Sequence, residues 1–189
     1  NIPIYPITVD NKCIVVVKLF IHGGEPLNMD TEPEDRALLT IMALSVLGLI
    51  DSLYLTYLHH LVAGGGGCPT QNLPGLDCGE VLASEQAELL GIPVAWFGVL
   101  GFIALFSLAL DRYLNMDLER TRYNVLLLPL VGLSGSAFGA YLTYAEAFII
   151  HQWCPFCLTA FALTLGATFF ALRTYGTELK NFIGGKDGI

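Results

Sequence analysis

The sequence predicts an all-α protein that is embedded in a membrane and crosses it four times. Of its 189 residues, 54% are hydrophobic and 14% are charged, and the mean hydropathy is +0.61. Soluble domains carry about 25% charged residues, so this chain lacks the polar surface that a water-soluble fold needs. The net charge of −8 argues against a nucleic-acid partner, because such partners bind to basic faces.

Four apolar stretches are long enough for helices that span a bilayer, which takes about 20 residues. None shows the strict alternation of a membrane β-barrel strand. The first is too long and lies too far along the chain to be a cleaved signal peptide. In chain order, the predicted spans are residues 38–58, 92–110, 125–150 and 158–175.

The chain divides into three expected segments. Residues 1–28 combine a short β-like run with Pro- and Gly-bearing flanks, and we expect an extension or a surface strand. We assign this segment no function, and its Cys13 is interpreted as an incidental thiol. Residues 29–180 are expected to form the membrane domain, and residues 181–189 a cytoplasmic tail.

The basic residues predict the orientation of the spans. Threading the chain through four spans puts every Lys and Arg after Met29 on one face, and the connections at 61–91 and 151–153 contain none. Lys and Arg stay on the cytoplasmic side during insertion. We therefore expect both termini in the cytoplasm of a cell (inner) membrane protein, and the cysteine-bearing segments outside, where disulfides form. The basic residues are Arg36, Arg112, Arg120, Arg122, Arg173, Lys180 and Lys186.

Cys154 and Cys157 stand at the start of the fourth predicted span. Pro155 suits the first helical position, which makes Cys154 the N-cap and puts both thiols at the positive end of a helix, where thiolates are favoured. The pair is interpreted as redox-active, with an inert disulfide as one alternative. A metal site is another, if the two loop cysteines complete four ligands, although an oxidising compartment argues against it. Leu158 stands where haem attachment would need a histidine.

Cys68 and Cys78 lie in the connection after the first span. Four consecutive glycines precede Cys68 and predict a mobile arm. Asp77 and Glu80 form a helix-start signal and predict a short helix at about 78–90, which is too short and too acidic to span the membrane. We expect this helix to lie on the outer surface. A thiol on a flexible arm favours thiol exchange, with a static loop disulfide as the alternative.

These features, in this order, resemble one known family. They are the two-cysteine loop, Ser84 six residues after its second cysteine, the run at 91–102, and the run at 141–158 that contains Cys-Pro-Phe-Cys. Over about residues 36–176 the chain is similar to the vitamin K epoxide reductase family, and most of all to its bacterial-type homologues. The resemblance implies a four-helix membrane bundle that carries electrons from thiols to a quinone of the menaquinone, ubiquinone or phylloquinone type.

The same resemblance implies residue roles. Cys154 and Cys157 match the active-site pair, with Cys157 facing the quinone and Cys154 exchanging with the loop. Cys68 and Cys78 match a shuttle pair that meets a thioredoxin-fold protein. Many bacterial homologues carry a fused domain of that fold, and this chain is too short for one, so the partner is expected to be a separate protein. Ser84 matches the hydroxyl residue beside the site.

The expected quinone pocket is aromatic. Phe161 stands where the vertebrate enzymes have a tyrosine that holds the vitamin K carbonyl, and Val94 stands near their asparagine, so this chain lacks those polar contacts to a quinone or an epoxide. Interface belts and ordinary packing are the alternative for any single aromatic. The quinone-binding candidates are Cys157, Trp153, Phe161, Ser84, Trp96 and Tyr144, with Phe97, Phe138, Tyr141 and Phe148 as further wall residues.

Five polar residues in or near the spans are further candidates. Glu146 is expected to face a cavity and to take part in proton uptake by the quinone, because acids inside spans face partners or cavities. Asp51 lies within the first predicted span, and for the same reason it is expected to face a partner or a cavity. His151 is a candidate proton donor, while His59 and His60 are interpreted as solvated anchors at the end of the first span.

The favoured function is a quinone-linked thiol oxidoreductase that generates disulfides for exported proteins. Its expected partners are lipid, a quinone and a thioredoxin-fold protein, with no metal. One alternative is a disulfide generator of the unrelated DsbB type, which carries its active-site pair at the start of its second span. The other is a non-catalytic subunit of a larger membrane complex, with static disulfides.

Overall fold

The computed structural model describes residues 33–70, 77–89, 91–114 and 122–183. Expectations for residues 1–28, including Cys13, and for the tail beyond residue 183 lie outside the described residues. The prediction of an all-α membrane protein is confirmed, since four helices are long and apolar enough to cross a bilayer. The helices are α1 (Pro33–Ala63), α2 (Cys78–Leu82), α3 (Val94–Leu114), α4 (Arg122–Ala145) and α5 (Pro155–Ile183).

The long helices form a ring of four. α1 packs against α3 and α5, and α4 packs against the same two helices. Small residues allow these close approaches, as is usual between membrane helices. A Cβ on Gly48 of α1 would overlap the ring of Phe102 on α3, and a Cβ on Gly132 of α4 would lie 2.8 Å from Oγ1 of Thr168 on α5. The hydroxyls of Ser136 and Thr168, 2.9 Å apart, also tie α4 to α5.

A polar cluster joins three helices at one end of the ring. Oε1 of Glu34, in the first turn of α1, accepts hydrogen bonds from Arg112 Nε at 3.1 Å and from Tyr175 OH at 2.8 Å. Arg112 is in the last turn of α3, and Tyr175 is in the second half of α5. The start of α1 therefore lies beside the ends of α3 and α5. The opposite end of the bundle holds the end of α1, the start of α3 and the start of α5.

The segment between α1 and α3 contains less helix than the sequence predicted. α2 begins at Cys78 as expected, with Asp77 as its N-cap, whose Oδ1 accepts the N–H groups of Gly79 (2.8 Å) and Glu80 (3.2 Å). The prediction that this helix continues to about residue 90 was wrong, because it ends at Leu82.

Ser84 explains where α2 stops. Its backbone is extended, and its hydroxyl donates to the carbonyl of Val81 at 2.7 Å, which competes with continued helix. A 3₁₀ turn follows, and then β1 (Glu88–Leu89) pairs antiparallel with β2 (Ile92–Pro93). Gly91 has φ +78 between the two strands, a conformation that suits glycine.

We expect Gly48→Ala to destabilise the bundle, because the new Cβ overlaps the Phe102 ring. Overpacking of this kind costs about 1–3 kcal/mol. Thermal unfolding of the purified protein in detergent measures the effect. Gly176→Ala is the matched control, since a Cβ there meets nothing within 4 Å. Equal unfolding temperatures for the two variants would mean that α1 and α3 do not pack this closely.

Candidate active site

Cys154 and Cys157 bracket the first turn of α5. Pro155 is the first helical residue, as the sequence predicted, and the carbonyl of Cys154 accepts the N–H of Leu158 at 3.0 Å. Both cysteines are free thiols, with their Sγ atoms 2.6 Å apart. The N–H of Cys157 also donates to Cys154 Sγ at 3.3 Å. The two sulfurs are therefore close enough to join without a large movement.

Cys68 and Cys78 are joined by a disulfide that closes the loop after α1. Their Cα atoms are 6.0 Å apart. Cys78 is fully buried, while Cys68 is 6% exposed. The N–H of Cys78 donates to Thr70 Oγ1 at 3.3 Å. The structure therefore joins the loop cysteines and holds the α5 sulfurs within reach of a second disulfide.

The glycines before Cys68 end α1. The N–H of Gly66 donates to the carbonyl of Leu61 at 2.9 Å, and the N–H of Gly65 donates to that of Val62 at 3.0 Å. Gly65 has φ +82, so the three features together form a Schellman cap. The sequence predicted a mobile arm here. The cap gives two of its glycines a defined position and leaves Gly67 as the link to Cys68.

Both cysteine pairs belong to one apolar cluster at the same end of the bundle, which we call the cysteine end. Cys157 packs against this cluster, and the other three cysteines are buried inside it. Exchange between two disulfide pairs requires this proximity. The buried members are Leu55, Leu58, Cys68, Cys78, Val81, Leu82 and Cys154.

A cavity of about 160 Å³ lies among the four long helices and the loop, and Cys157 forms part of its wall. One buried water needs about 10–15 Å³, so the space suits a ring system better than a single solvent molecule. Its walls are largely apolar, with a few polar groups, as in most small-molecule sites. Its aromatic wall consists of Phe97, Phe102, Phe138 and Phe161.

Residues 39–172 match the model of the vitamin K epoxide reductase family. The chain belongs to this family. The match runs from α1 into α5 and includes both cysteine pairs and most of the cavity wall. Family membership and four membrane-length helices make the protein a multi-pass membrane oxidoreductase of the quinone-linked thiol–disulfide class.

The predicted quinone-binding residues of this vitamin K epoxide reductase homologue fall into two groups. Cys157, Phe161 and Ser84 line the cavity. The other three are exposed at the cysteine end of the bundle, and the described part of the cavity wall does not include them. Aromatic residues commonly collect at membrane interfaces, and a quinone contact by these three stays a prediction. They are Trp96, Tyr144 and Trp153.

The further aromatic candidates divide in the same way. Phe97 and Phe138 line the cavity, with ring centroids 6.3 Å apart. Tyr141 and Phe148 are 55% and 66% exposed, so they lie on the outer face of α4 and its π turn. The side of α4 that faces the cavity is marked by small residues. A Cβ on Gly139 would lie 2.5 Å from the ring of Phe161.

Glu146 links the cavity to the α5 cysteines. It begins a π-helical turn, Glu146–Ile150, that continues α4, and it is only 3% exposed. Its Oε2 accepts the backbone N–H of Cys154 at 3.1 Å, and its carboxyl also interacts with the Cys157 side chain. It lines the cavity as well. π turns often occur at functional sites, and here the turn places a carboxyl beside Cys154 and Cys157 at the cavity wall.

His59 is a site residue that sequence reasoning missed. The interpretation as a solvated anchor was wrong for His59, which is 7% exposed and lines the cavity. It holds for His60, which is exposed. The available signal was helical spacing, since Ser52 and Leu55 line the same wall seven and four residues earlier.

His151 shapes the turn between α4 and α5. It has φ +59, a left-handed conformation that is strained for a residue other than glycine. Its side chain is exposed, with Nδ1 3.3 Å from the carbonyl of Ile149. The described cavity wall does not include it, and a role as proton donor stays a prediction. Asp51 is half-buried within α1, and its Oδ2 has no hydrogen-bond partner among the described residues.

We expect Glu146→Leu to be more damaging than Glu146→Gln. Leucine leaves the buried N–H of Cys154 without an acceptor, which costs about 1–3 kcal/mol, whereas glutamine keeps an oxygen for that bond. Thermal unfolding measures the loss of stability, and the rate of maleimide reaction at Cys157 measures how far the start of α5 is disturbed. Glu80→Gln, on an exposed acid, is the control. Equal behaviour of the two Glu146 variants would show that this hydrogen bond does not hold the α5 turn.

Proposed function

We propose that this protein passes electrons from a reduced thioredoxin-fold partner through Cys68 and Cys78 to Cys154 and Cys157, and then to a membrane quinone. The product of each cycle is a disulfide in the partner, which serves exported proteins. The observation that carries the proposal is the shared cluster, because three cysteines are buried in it and Cys157 connects it to the cavity.

The partner's thiolate enters at the loop disulfide. Cys68 is 6% exposed and Cys78 is fully buried, so Cys68 is the sulfur that a protein partner reaches more easily. Attack at Cys68 joins it to the partner and releases Cys78 as a thiolate. A second thiol of the partner then displaces Cys68, which leaves an oxidised partner and a reduced loop.

The reduced loop then reduces the oxidised α5 pair. The Cys78 thiolate attacks Cys154, with which it shares the buried cluster, and Cys157 leaves as a thiolate. Cys68 next closes on Cys78 and releases Cys154. Two electrons have then moved to the α5 sulfurs, the loop disulfide has re-formed, and the two protons of the loop thiols remain at the loop.

A bound quinone supplies the final acceptor, taking up two electrons and two protons. The chain's contribution is position. Phe138 and Phe161 provide flat apolar walls, Cys157 stands in the wall as the electron donor, and Cys154 re-pairs with it. Glu146 fixes the Cys154 backbone and holds a proton-carrying group beside Cys157.

We place the cysteine end on the extracytoplasmic side of a cell membrane and both termini in the cytoplasm. The described Lys and Arg positions support this orientation. Arg36 is in the first turn of α1 and Arg112 is in the last turn of α3. Arg173 and Lys180 lie in the second half of α5, and all four are away from the cysteine end. Retention of positive residues in the cytoplasm gives this orientation.

We expect Cys157→Ala to hold Cys68 and Cys78 as reduced thiols in excess reduced partner, because Cys154 alone offers no disulfide for the Cys78 thiolate to attack. Quinone reduction should fall to the uncatalysed rate. Mass spectrometry of peptides from alkylated protein identifies the reduced loop thiols, and quinone absorbance follows the reaction.

Cys13→Ala is the control for this variant, and it should change neither measurement. A static subunit would give the opposite result. In that case the Cys68–Cys78 disulfide would persist in Cys157→Ala even with excess reduced partner.

The orientation predicts different access to two engineered thiols. In a chain whose native cysteines are alanine, Gly67→Cys should react with a membrane-impermeant maleimide in intact spheroplasts, and Lys180→Cys should react only after lysis. Both positions are exposed, so only sidedness distinguishes them. Labelling of Lys180→Cys in intact spheroplasts would overturn the proposed orientation.

A further inference from the structure

His59 stands between two spaces in the protein. On one side is the cavity that contains Cys157. On the other is a more open pocket of about 500 Å³ beneath the loop, whose wall includes Glu85, Glu88 and Gly91. His59 lines both spaces. It therefore belongs to the partition between the loop side of the protein and the interior of the bundle.

The two ring nitrogens of His59 have different surroundings. Nε2 lies 3.4 Å from Oε1 of Glu88, whose side chain is 51% exposed. Nδ1 is buried and has no hydrogen-bond partner in the part of the chain that the structure describes. A buried, unpaired ring nitrogen is costly and rare, and such a group calls for an explanation. A ligand oxygen in the cavity would supply the missing partner.

The proposed electron route requires residues that deliver protons to the interior of the bundle. Thiol exchange releases the α5 cysteines as thiolates and leaves two protons at the loop. The final acceptor needs two protons inside the bundle, and Glu146 accounts for one carrier there. We propose that His59 is the second carrier, a catalytic residue that delivers a proton from the loop side to a quinone oxygen. This inference rests on the proposed function.

The delivery step uses the charged imidazole. The Glu88 carboxylate, 3.4 Å from Nε2, pairs with the charged ring and holds it in place. The second proton, on Nδ1, passes to a quinone oxygen as two electrons leave Cys157 and Cys154 and their S–S bond forms. His59 is left neutral. It regains a proton from solvent that reaches Glu88. The two protons released by Cys68 and Cys78 thus replace the one that His59 gives and the one that Glu146 gives, and the reaction balances.

Five titratable groups lie around His59, and their effects on a pH profile must be distinguished from its own. One is the Cys157 thiol, which lines the same inner cavity. Glu88 on β1 and Glu85 in the 3₁₀ turn face it across the loop pocket. His60 follows it on α1, with the ring centroids 6.0 Å apart. Glu146 shares the inner cavity with it. His60 is exposed and outside the described wall of either space, so it is the natural control.

The first test is a single turnover. Pre-reduced protein is mixed with a water-soluble naphthoquinone between about pH 5 and pH 8, where histidine changes charge, and loss of the Cys154 and Cys157 thiols is followed by alkylation. We expect His59→Gln to slow this loss by about 100-fold, the usual effect of removing a general acid, and to flatten its pH dependence. His60→Gln should match the native protein. Glu88→Gln should slow the loss less and shift its pH profile.

The second test needs no turnover. In protein whose α5 cysteines are oxidised, the same quinone binds but accepts no electrons. With ¹⁵N-labelled histidine, the Nδ1 signal that remains when His22, His60 and His151 are replaced by glutamine should shift when the quinone is added, and the His60 signals of the native protein should not. This measurement, together with Glu88→Gln, decides the matter if His59→Gln does not fold.

The outcomes separate this inference from the proposed function. If reduced native protein keeps its thiols in the presence of quinone, the proposed function fails. If native protein loses them and His59→Gln loses them equally fast at every pH, the role of His59 fails while the electron route stands. An unshifted Nδ1 signal on quinone binding would also overturn it.

Discussion

The structure depends on the burial of sulfur at one end of a ring of membrane helices. Cys68, Cys78 and Cys154 lie in the same apolar cluster, and Cys157 packs against it. Burial excludes water from the sulfurs, and the cluster brings residues from α1, the loop and α5 together. If these elements separated, each pair would remain a chemically competent dithiol but neither could reach the other. Packing at the cysteine end is therefore also a condition for electron transfer.

The rest of the ring holds this end in place. Glu34, Arg112 and Tyr175 tie three helices at the opposite end, and glycines let the helices approach closely between the two ends. A charged group inside such a bundle is costly unless it has a partner. Glu34 has two, and Glu146 has the N–H of Cys154. The partner of Glu146 belongs to the turn that begins α5, so the interaction that satisfies this buried acid also orients Cys154.

The proposed function would account for the location of the site. A thiol donor would arrive in water, whereas a quinone dissolves in the lipid-like interior. The loop disulfide and the first turn of α5 share one buried cluster, and Cys157 also lines the cavity. In the proposed route electrons cross this boundary through sulfur, and protons need groups that titrate. Glu146 and His59 stand at the cavity wall, where the route requires such groups.

The sequence alone determined the four spans, the start of α5 at Pro155 and the start of α2 at Cys78, because apolar run length and helix-capping chemistry are local. The family followed from ordered motifs, and the cysteine roles that the family implies stay a prediction. The sequence could not predict where α2 ends, because that depends on the Ser84 hydroxyl and on pairing between β1 and β2. The sequence analysis also misjudged His59. It grouped the exposed residues Trp96, Tyr144 and Trp153 with Phe161, which lines the cavity. Whether a residue at a helix end faces lipid, water or a cavity is decided by the neighbouring helices, and only the tertiary structure contains them.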